Sequence, residues 1–290
     1  MHWRLPRGVV ALDRPFILGI VNVTPDSFSD GGRLADAEAA VAYAERLLDE
    51  GADAVDVGGE STRPQNLGAV PVEEEMRRVL PVVRALRSRR GGALISVDTV
   101  KAAVARAALD AGADVVNDVS GLRLDTAMAA TCAAAHAGVI LMHSRGVVAD
   151  MATFAHADYG DDPVGDVVAE LSHAVERARA AGLADESIVV DPGVGFSKRS
   201  AVSIAVLAEL PRIAAIGRPV LVGASRKRFV GELSGVATAA DRVHGSVGAH
   251  VAALARGARL FRVHDVRAHR EALDVAWAIL GPRLPIADTA

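Results

Sequence analysis

Eight short apolar runs recur along this chain, at residues 16–23, 54–57, 93–97, 115–116, 139–142, 188–190, 219–222 and 260–263, with helix-length stretches between them. The runs are near-continuous rather than alternating, which is the pattern of parallel strands buried on both faces. Helical segments are expected at residues 36–50, 72–90, 101–111, 164–181 and 241–256. Gly51, Gly112, Gly138, Gly182 and Gly257 stand at helix stops, where a left-handed cap suits glycine. A weak internal echo, Gly51-Ala52-Asp53, Gly112-Ala113-Asp114 and Gly257-Ala258-Arg259, closes a helix and leads into a strand each time. The chain has 290 residues, close to the roughly 250 typical of a closed barrel of eight strand–helix units. An open doubly wound sheet is the rival, but no composition break marks a second domain. The expectation is an α/β protein with a single (β/α)8 TIM barrel over residues 1–281. Residues 282–290, with two prolines and no periodicity, read as a loose tail.

Composition narrows the partners. Hydrophobic residues make up 51% and charged residues 23%, too apolar a mixture for a disordered chain. Lys plus Arg is 32 and Asp plus Glu is 36, a net charge of −4. That balance argues against a general nucleic-acid surface, so an anionic ligand would need a local cationic cluster. The single cysteine, Cys132, excludes an intramolecular disulfide and a Cys-paired zinc site. The opening residues lack the apolar core of a signal peptide, and no run approaches the roughly 18 apolar residues of a membrane span. A soluble, cytoplasmic protein with no membrane partner is expected. Lysine occurs only at Lys101, Lys198 and Lys227, against abundant arginine, which hints that these three are needed as lysine.

Barrel active sites are built where the strands end. The residues following the eight runs include Asn22, Asp56, Asp98, Asn117, His143, Asp191, Gly223 with Ser225 and Lys227, and Arg262 with His264. Taken singly, an Asp after a strand is most often a turn or a helix N-cap, and for Asp98 capping is a live reading. A lone His143 is more often structural than catalytic, and Gly193-Val194-Gly195 alone is a weak phosphate-loop signal. Polar groups at every strand end are more than capping needs, and together they indicate a ring-shaped binding site. Asp98, Asn117 and Asp191 suit the donor and acceptor edge of a flat nitrogen heterocycle, with Lys227 donating to a ring acceptor. Arg262, His264, Arg63 and the Asn22 amide form a set able to hold phosphate. A pterin- or purine-like ring carrying a phosphate ester fits this chemistry.

The motifs carry a resemblance. Residues 22–32 (NVTPDSFSDGG) and 58–64 (GGESTRP) resemble the signature pair of the dihydropteroate synthase family. The blocks at 96–99 (SVDT), 117–121 (NDVSG), 191–196 (DPGVGF), 225–227 (SRK) and 262–265 (RVHD) are similar to its remaining motifs, in order. The resemblance implies a folate-pathway enzyme, a sulfonamide target, joining 4-aminobenzoate to 6-hydroxymethyl-7,8-dihydropterin diphosphate with release of pyrophosphate. It implies that Asp98, Asn117, Asp191 and Lys227 hold the pterin, with Met142 as a wall and Gly223 among the substrate-binding residues. Asn22 would ligate Mg²⁺, with Arg262 and His264 at the diphosphate and Arg63 assisting. Thr62, Pro64, Phe196 and Ser225 would surround the aminobenzoate. Arg63, Asp98, Lys227, Arg262 and His264 are the expected catalytic set, and a homodimer is the expected assembly. Ser144, residues 146–162 and residues 200–210 depart from the family pattern, which leaves the loop shape and the wall at Met142 open. A folate-binding methyltransferase domain and a non-catalytic pterin-binding paralogue are the competing readings. Both are disfavoured by the joint presence of the two loop motifs with Asn22, Arg63, Arg262 and His264.

Overall fold

The computed structural model describes residues 1–24, 33–60 and 70–281. The chain opens with an antiparallel hairpin, β1 (His2–Leu5) and β2 (Gly8–Ala11), that the apolar runs did not announce. Eight parallel strands follow: β3 (Phe16–Asn22), β4 (Ala54–Gly58), β5 (Leu94–Asp98), β6 (Val115–Asp118), β7 (Gly138–Met142), β8 (Ile188–Asp191), β9 (Leu221–Val222) and β10 (Leu260–Val263). Their order is β8-β7-β6-β5-β4-β3-β10-β9, and a bridge from Val190 to Val220 closes the ring. The helices α1 (Arg33–Asp49), α2 (Val72–Arg89), α3 (Ala102–Asp110), α4 (Met128–Ala134) and α5 (Pro163–Ala180) surround the first half of the sheet. The second half carries α6 (Ser200–Ala208), α7 (Leu210–Ala214), α8 (Arg228–Ser234), α9 (Val243–Ala255) and α10 (Val266–Leu280). This is the expected (β/α)8 TIM barrel. Among the described residues no helix is long and apolar enough to cross a membrane.

Side chains on a strand alternate between its two faces, and that period of two sorts every barrel strand. Ile17, Val21, Val55, Val57, Ile95, Val97, Val116, Val139, Leu141 and Val263 pack in one core with residues of the surrounding helices, among them Val79, Val83, Leu171 and Leu273. Each such fully buried side chain stabilises the fold by roughly 1.5–3 kcal/mol. Phe16, Leu18, Ala54, Val115, Ile140, Val189, Leu221 and Leu260 fill the barrel interior. The hairpin plugs the amino end of that interior with Trp3 and Leu5, joined by Leu12 from the segment after it. Further along the same inward faces, apolar side chains give way to Asp56, Asn117, Asp191 and Arg262, two residues past Ala54, Val115, Val189 and Leu260, and to Asn22 and Asp98 at the ends of β3 and β5.

One glycine expectation is corrected. Gly138 opens β7 instead of capping a helix, and the left-handed position is taken by His136, at φ 51°. A side chain at Gly138 would collide with Leu5, its Cβ falling 2.3 Å from Cδ2, so glycine is required for the hairpin plug to seat. Residues 282–290, expected to be a tail, lie outside the described residues.

Candidate active site

At the carboxyl end of the barrel a cavity is lined by Asn22, Glu60, Asp98, Asn117, Met142, Asp191, Gly193, Phe196, Gly223, Ser225, Lys227, Arg262 and His264, over an apolar floor that includes Ile20, Val119 and Val194. Strand register makes this assembly. Asp98 pairs with Asn117 across β5 and β6, and Met142 with Asp191 across β7 and β8. Asp98 does not cap α3: that helix begins after Lys101, whose N–H donates to Thr99 Oγ1 at 3.2 Å.

The loops finish the positioning. Asp191 Oδ1 accepts the Gly193 N–H at 2.7 Å, which leaves its second oxygen for the cavity. Gly223 keeps that side open, since a Cβ there would lie 3.9 Å from Asp191 Oδ2. After β9 the chain turns sharply at Arg226, a non-glycine residue at φ 60°. A bidentate pair with Asp265, at 2.6 and 3.0 Å, and an N–H bond to Ser246 Oγ hold it there. Strain of this kind survives only where the surroundings over-determine it, and it clusters at functional sites. The turn delivers Lys227 to the cavity, its Nζ 4.1 Å from the centre of the Phe196 ring. Ser225 Oγ lies 3.0 Å from His264 Nδ1 and also accepts the His264 backbone N–H.

The electrostatics centre on Asp56, which has no solvent exposure. Its Oδ2 accepts from Asn117 Nδ2 at 2.9 Å and from Arg262 Nε at 2.6 Å, while Arg262 Nη2 donates to Asp98 at 2.7 Å. Arg262 therefore stands among the carboxylates rather than across the cavity from them. Asp56 belongs to the site but was not among the expected binding residues. The signal was present, since an acid inside an apolar strand needs a partner or a purpose. Burial raises Asp98 to about 7 even though Arg262 opposes the shift, because Asp56 competes for the same guanidinium. Burial also raises Asp191 to about 6, against the pull of the Gly193 N–H and Lys227. Lys227 is lowered to about 8 by burial and by Arg262. Among the described residues Asp56 Oδ1 has no hydrogen-bond partner. Two carboxyls that titrate near neutral pH, beside two cations, offer acceptors to ring N–H donors.

Met142 forms a wall with Val100, Val119 and Met151, and Phe196 packs against the cluster. Met151 comes from the segment that departs from the family pattern, so that segment supplies a side chain to the wall. His143, weighed as an alternative base, does not line the cavity. It is turned outward between Lys198 and Glu170. Thr62, Arg63 and Pro64 lie outside the described residues. Glu60, just before them, lines the cavity and was also missed. Its carboxylate accepts from Val70 N–H at 2.6 Å and Lys101 Nζ at 2.8 Å.

The described residues hold no cluster of three or more His, Cys, Asp or Glu able to bind a metal by themselves. As hard donors the cavity lining offers the Asn22 amide oxygen and the carboxylates of Asp98 and Glu60. That fits a hard cation carried mainly by substrate phosphates and water, the usual habit of Mg²⁺.

Comparisons with known proteins agree with this geometry. Residues 18–264 match the model of the pterin binding enzyme family. The chain is 44% identical over 287 residues to the dihydropteroate synthase of Neisseria meningitidis serogroup B, covering 97% of this chain and 98% of that one. The structure of Xanthomonas albilineans dihydropteroate synthase with 4-aminobenzoic acid superposes with a TM-score of 0.87 at 47% identity, over 94% of this chain and 96% of that one. The same enzyme in complex with 7,8-dihydropteroate gives a TM-score of 0.84 at 45% identity, over 94% and 97%. A barrel whose strand ends gather two carboxyls of raised pKa, an amide and two cations, and whose sequence matches these proteins along nearly its whole length, belongs to the dihydropteroate synthase family of pterin-binding enzymes.

Proposed function

We propose that this protein condenses 6-hydroxymethyl-7,8-dihydropterin diphosphate with 4-aminobenzoate, giving 7,8-dihydropteroate and pyrophosphate. The observation that carries the reading is the convergence of Asp98, Asn117, Asp191, Lys227 and Arg262 on one cavity. Asp98 and Asp191 accept from the pterin ring N–H and amino groups, Asn117 offers its amide oxygen, and Lys227 donates to a ring acceptor. In the reaction the bond from the methylene carbon to the diphosphate oxygen breaks, and the electron pair leaves with pyrophosphate. The carboxylates stabilise the cationic character left on the pterin. The aminobenzoate nitrogen then attacks the methylene carbon and releases its proton to solvent. No side-chain nucleophile is needed. Phe196 and Ser225 flank the place where the aromatic amine arrives, and Gly223 leaves space for the ring.

Arg262 and His264 are assigned to the leaving diphosphate, with Arg63 as a further partner. Asn22 is the protein ligand we assign to Mg²⁺, which supplies charge stabilisation to the leaving group when bound. The aminobenzoate subsite is where a sulfonamide would compete. The deciding experiment mixes pure protein with the pterin diphosphate, Mg²⁺ and 4-aminobenzoate and measures pyrophosphate. Release that depends on 4-aminobenzoate supports the reading, whereas pterin binding without release would leave only a binding protein.

A homodimer is the assembly we propose. Ile204, Leu233, Val275 and Ile279 are exposed on α6, α8 and α10, and an apolar groove runs between α6, α8 and α9. Light scattering on wild type and Leu233→Glu tests it: a dimer that becomes monomeric supports that face. A cytoplasmic setting is consistent with the reading, since Cys132 is buried and unpaired.

A further inference from the structure

Lys198 is 2% exposed; it does not line the strand-end cavity but borders the adjoining one, which shares Phe196, Ser225 and Lys227 with it. Its Nζ lies 2.7 Å from His143 Nδ1, 3.1 Å from the carbonyl of Gly193, 3.1 Å from that of Phe196 and 3.4 Å from that of His143. An ammonium is costly to bury, and only such a set of acceptors makes it tolerable. The ring is oriented from the other side, where His143 Nε2 sits 3.1 Å from Glu170 Oε2 and Arg145 Nε donates to Glu170 Oε1 at 2.9 Å. With Nδ1 accepting from the ammonium, Nε2 carries the imidazole proton and donates to Glu170.

The segment that wraps this ammonium has an unusual backbone. Gly193, Gly195 and Ser197 take φ of 65°, 79° and 49°, and for serine that conformation is unfavourable. Gly193 cannot carry a side chain, because a Cβ would fall 1.9 Å from the His143 carbonyl oxygen. Three left-handed residues in five bring the carbonyls of Gly193 and Phe196 toward one point, and Lys198 occupies it. The outer surface of the same turn presents Phe196, with Lys227 against its ring.

We infer that Lys198 is a positioning residue: its ammonium, gripped by the Gly193 and Phe196 carbonyls and by the His143 ring, sets the turn that places Phe196 and Lys227 for the incoming amine. The synthase reading enters only in naming which substrate responds.

The test compares wild type, Lys198→Met, His143→Leu and His143→Asn. Methionine fills the space without charge or donors, and asparagine restores an acceptor near the Nδ1 position. In Lys198→Met, amide hydrogen exchange at residues 195–197 should quicken about tenfold or more, while β6 stays protected. The KM for 4-aminobenzoate should rise about tenfold, with affinity for a pterin analogue within about threefold of wild type. His143→Leu should share part of the defect, and His143→Asn should recover most of it. Unchanged exchange at residues 195–197 would overturn the inference. So would uniform acceleration through the barrel with both substrates weakened alike, which is general destabilisation. A wild type that releases no pyrophosphate defeats the synthase reading instead, and the exchange pattern still decides the part played by Lys198.

Discussion

The barrel holds an arginine–aspartate network at each end, and the two are satisfied to different degrees. At the amino end, Asp114 receives Arg7 at 2.7 Å, Arg87 at 2.8 Å and the Ile95 N–H at 2.9 Å. The spare donors of both arginines go to the carbonyls of Gly91, Ala93 and Gly112. At the carboxyl end, Arg262 is divided between Asp56 and Asp98, and Asp56 keeps an oxygen with no partner among the described residues. A saturated network of this kind steadies a fold. At the carboxyl end Asp98 and Arg262 line the cavity, where a ligand can compete for them, and the well-packed remainder of the protein tolerates the cost of the buried Asp56 oxygen.

The sharpest way to break the comparison is at the amino end. Asp114→Ala leaves two arginines facing no carboxylate, and Arg7 is partly solvated. We expect a loss of about 3 kcal/mol of stability, more than a hundredfold in the folded-to-unfolded ratio, with kcat per folded molecule unchanged. Urea melts alongside steady-state assays check this, and equal damage to turnover would mean that the two ends are coupled. At the carboxyl end Asp191→Asn should do the reverse. It should weaken a pterin analogue about ten- to a hundredfold in calorimetric titration and leave the urea midpoint nearly in place. An unchanged affinity would reduce Asp191 to a turn residue before Pro192.

Lys227→Arg asks whether the carboxyl end needs charge or shape. Arg226 and Arg228 already flank the position, so field alone would make the change silent. A compact donor packed on Phe196 cannot be replaced by a planar guanidinium, and we expect kcat/KM to fall about tenfold. Wild-type efficiency would remove Lys227 from the site.

The smallest effect is a dependence on pH. Asp98 and Asp191 are raised by burial to about 7 and about 6, so the folded, ligand-free protein takes up their protons before the unfolded chain does. These two groups therefore add stability as pH falls from about 7 toward the ordinary carboxylate range, and lose it as pH rises. Ring N–H donors favour the ionised forms, so pterin affinity should drop about tenfold between pH 7 and 6, with proton release on binding near pH 6. Titrations in buffers of different ionisation enthalpy measure that release. Its absence would mean that the carboxyls are already ionised in the empty cavity.

Much of this was legible in the chain. The apolar runs located all eight barrel strands to within two residues at either end, because strands buried on both faces leave no room for polar side chains. The hairpin was not legible, since Trp3, Leu5 and Leu12 become a plug only when a barrel exists to be plugged. The three lysines repay the attention given to their scarcity: Lys101 holds Glu60 and Glu75, Lys198 the Gly193–Phe196 turn, and Lys227 stands in the cavity.

The order of the motifs along the chain carried the family and the strand-end chemistry, because residue type and spacing suffice to state which groups the loops possess. Which groups share a guanidinium was decided by the closed ring alone. Asp56 and Arg262 are 206 positions apart and meet only because β10 pairs with β3 and β3 with β4. That closure makes Arg262, the proposed diphosphate ligand, also the shared partner of Asp56 and Asp98. It also turns His143 away from the cavity, since the alternation of β7 gives the inward place to Met142. Long-range pairing and burial set these charges, and neither can be read from a local stretch of sequence.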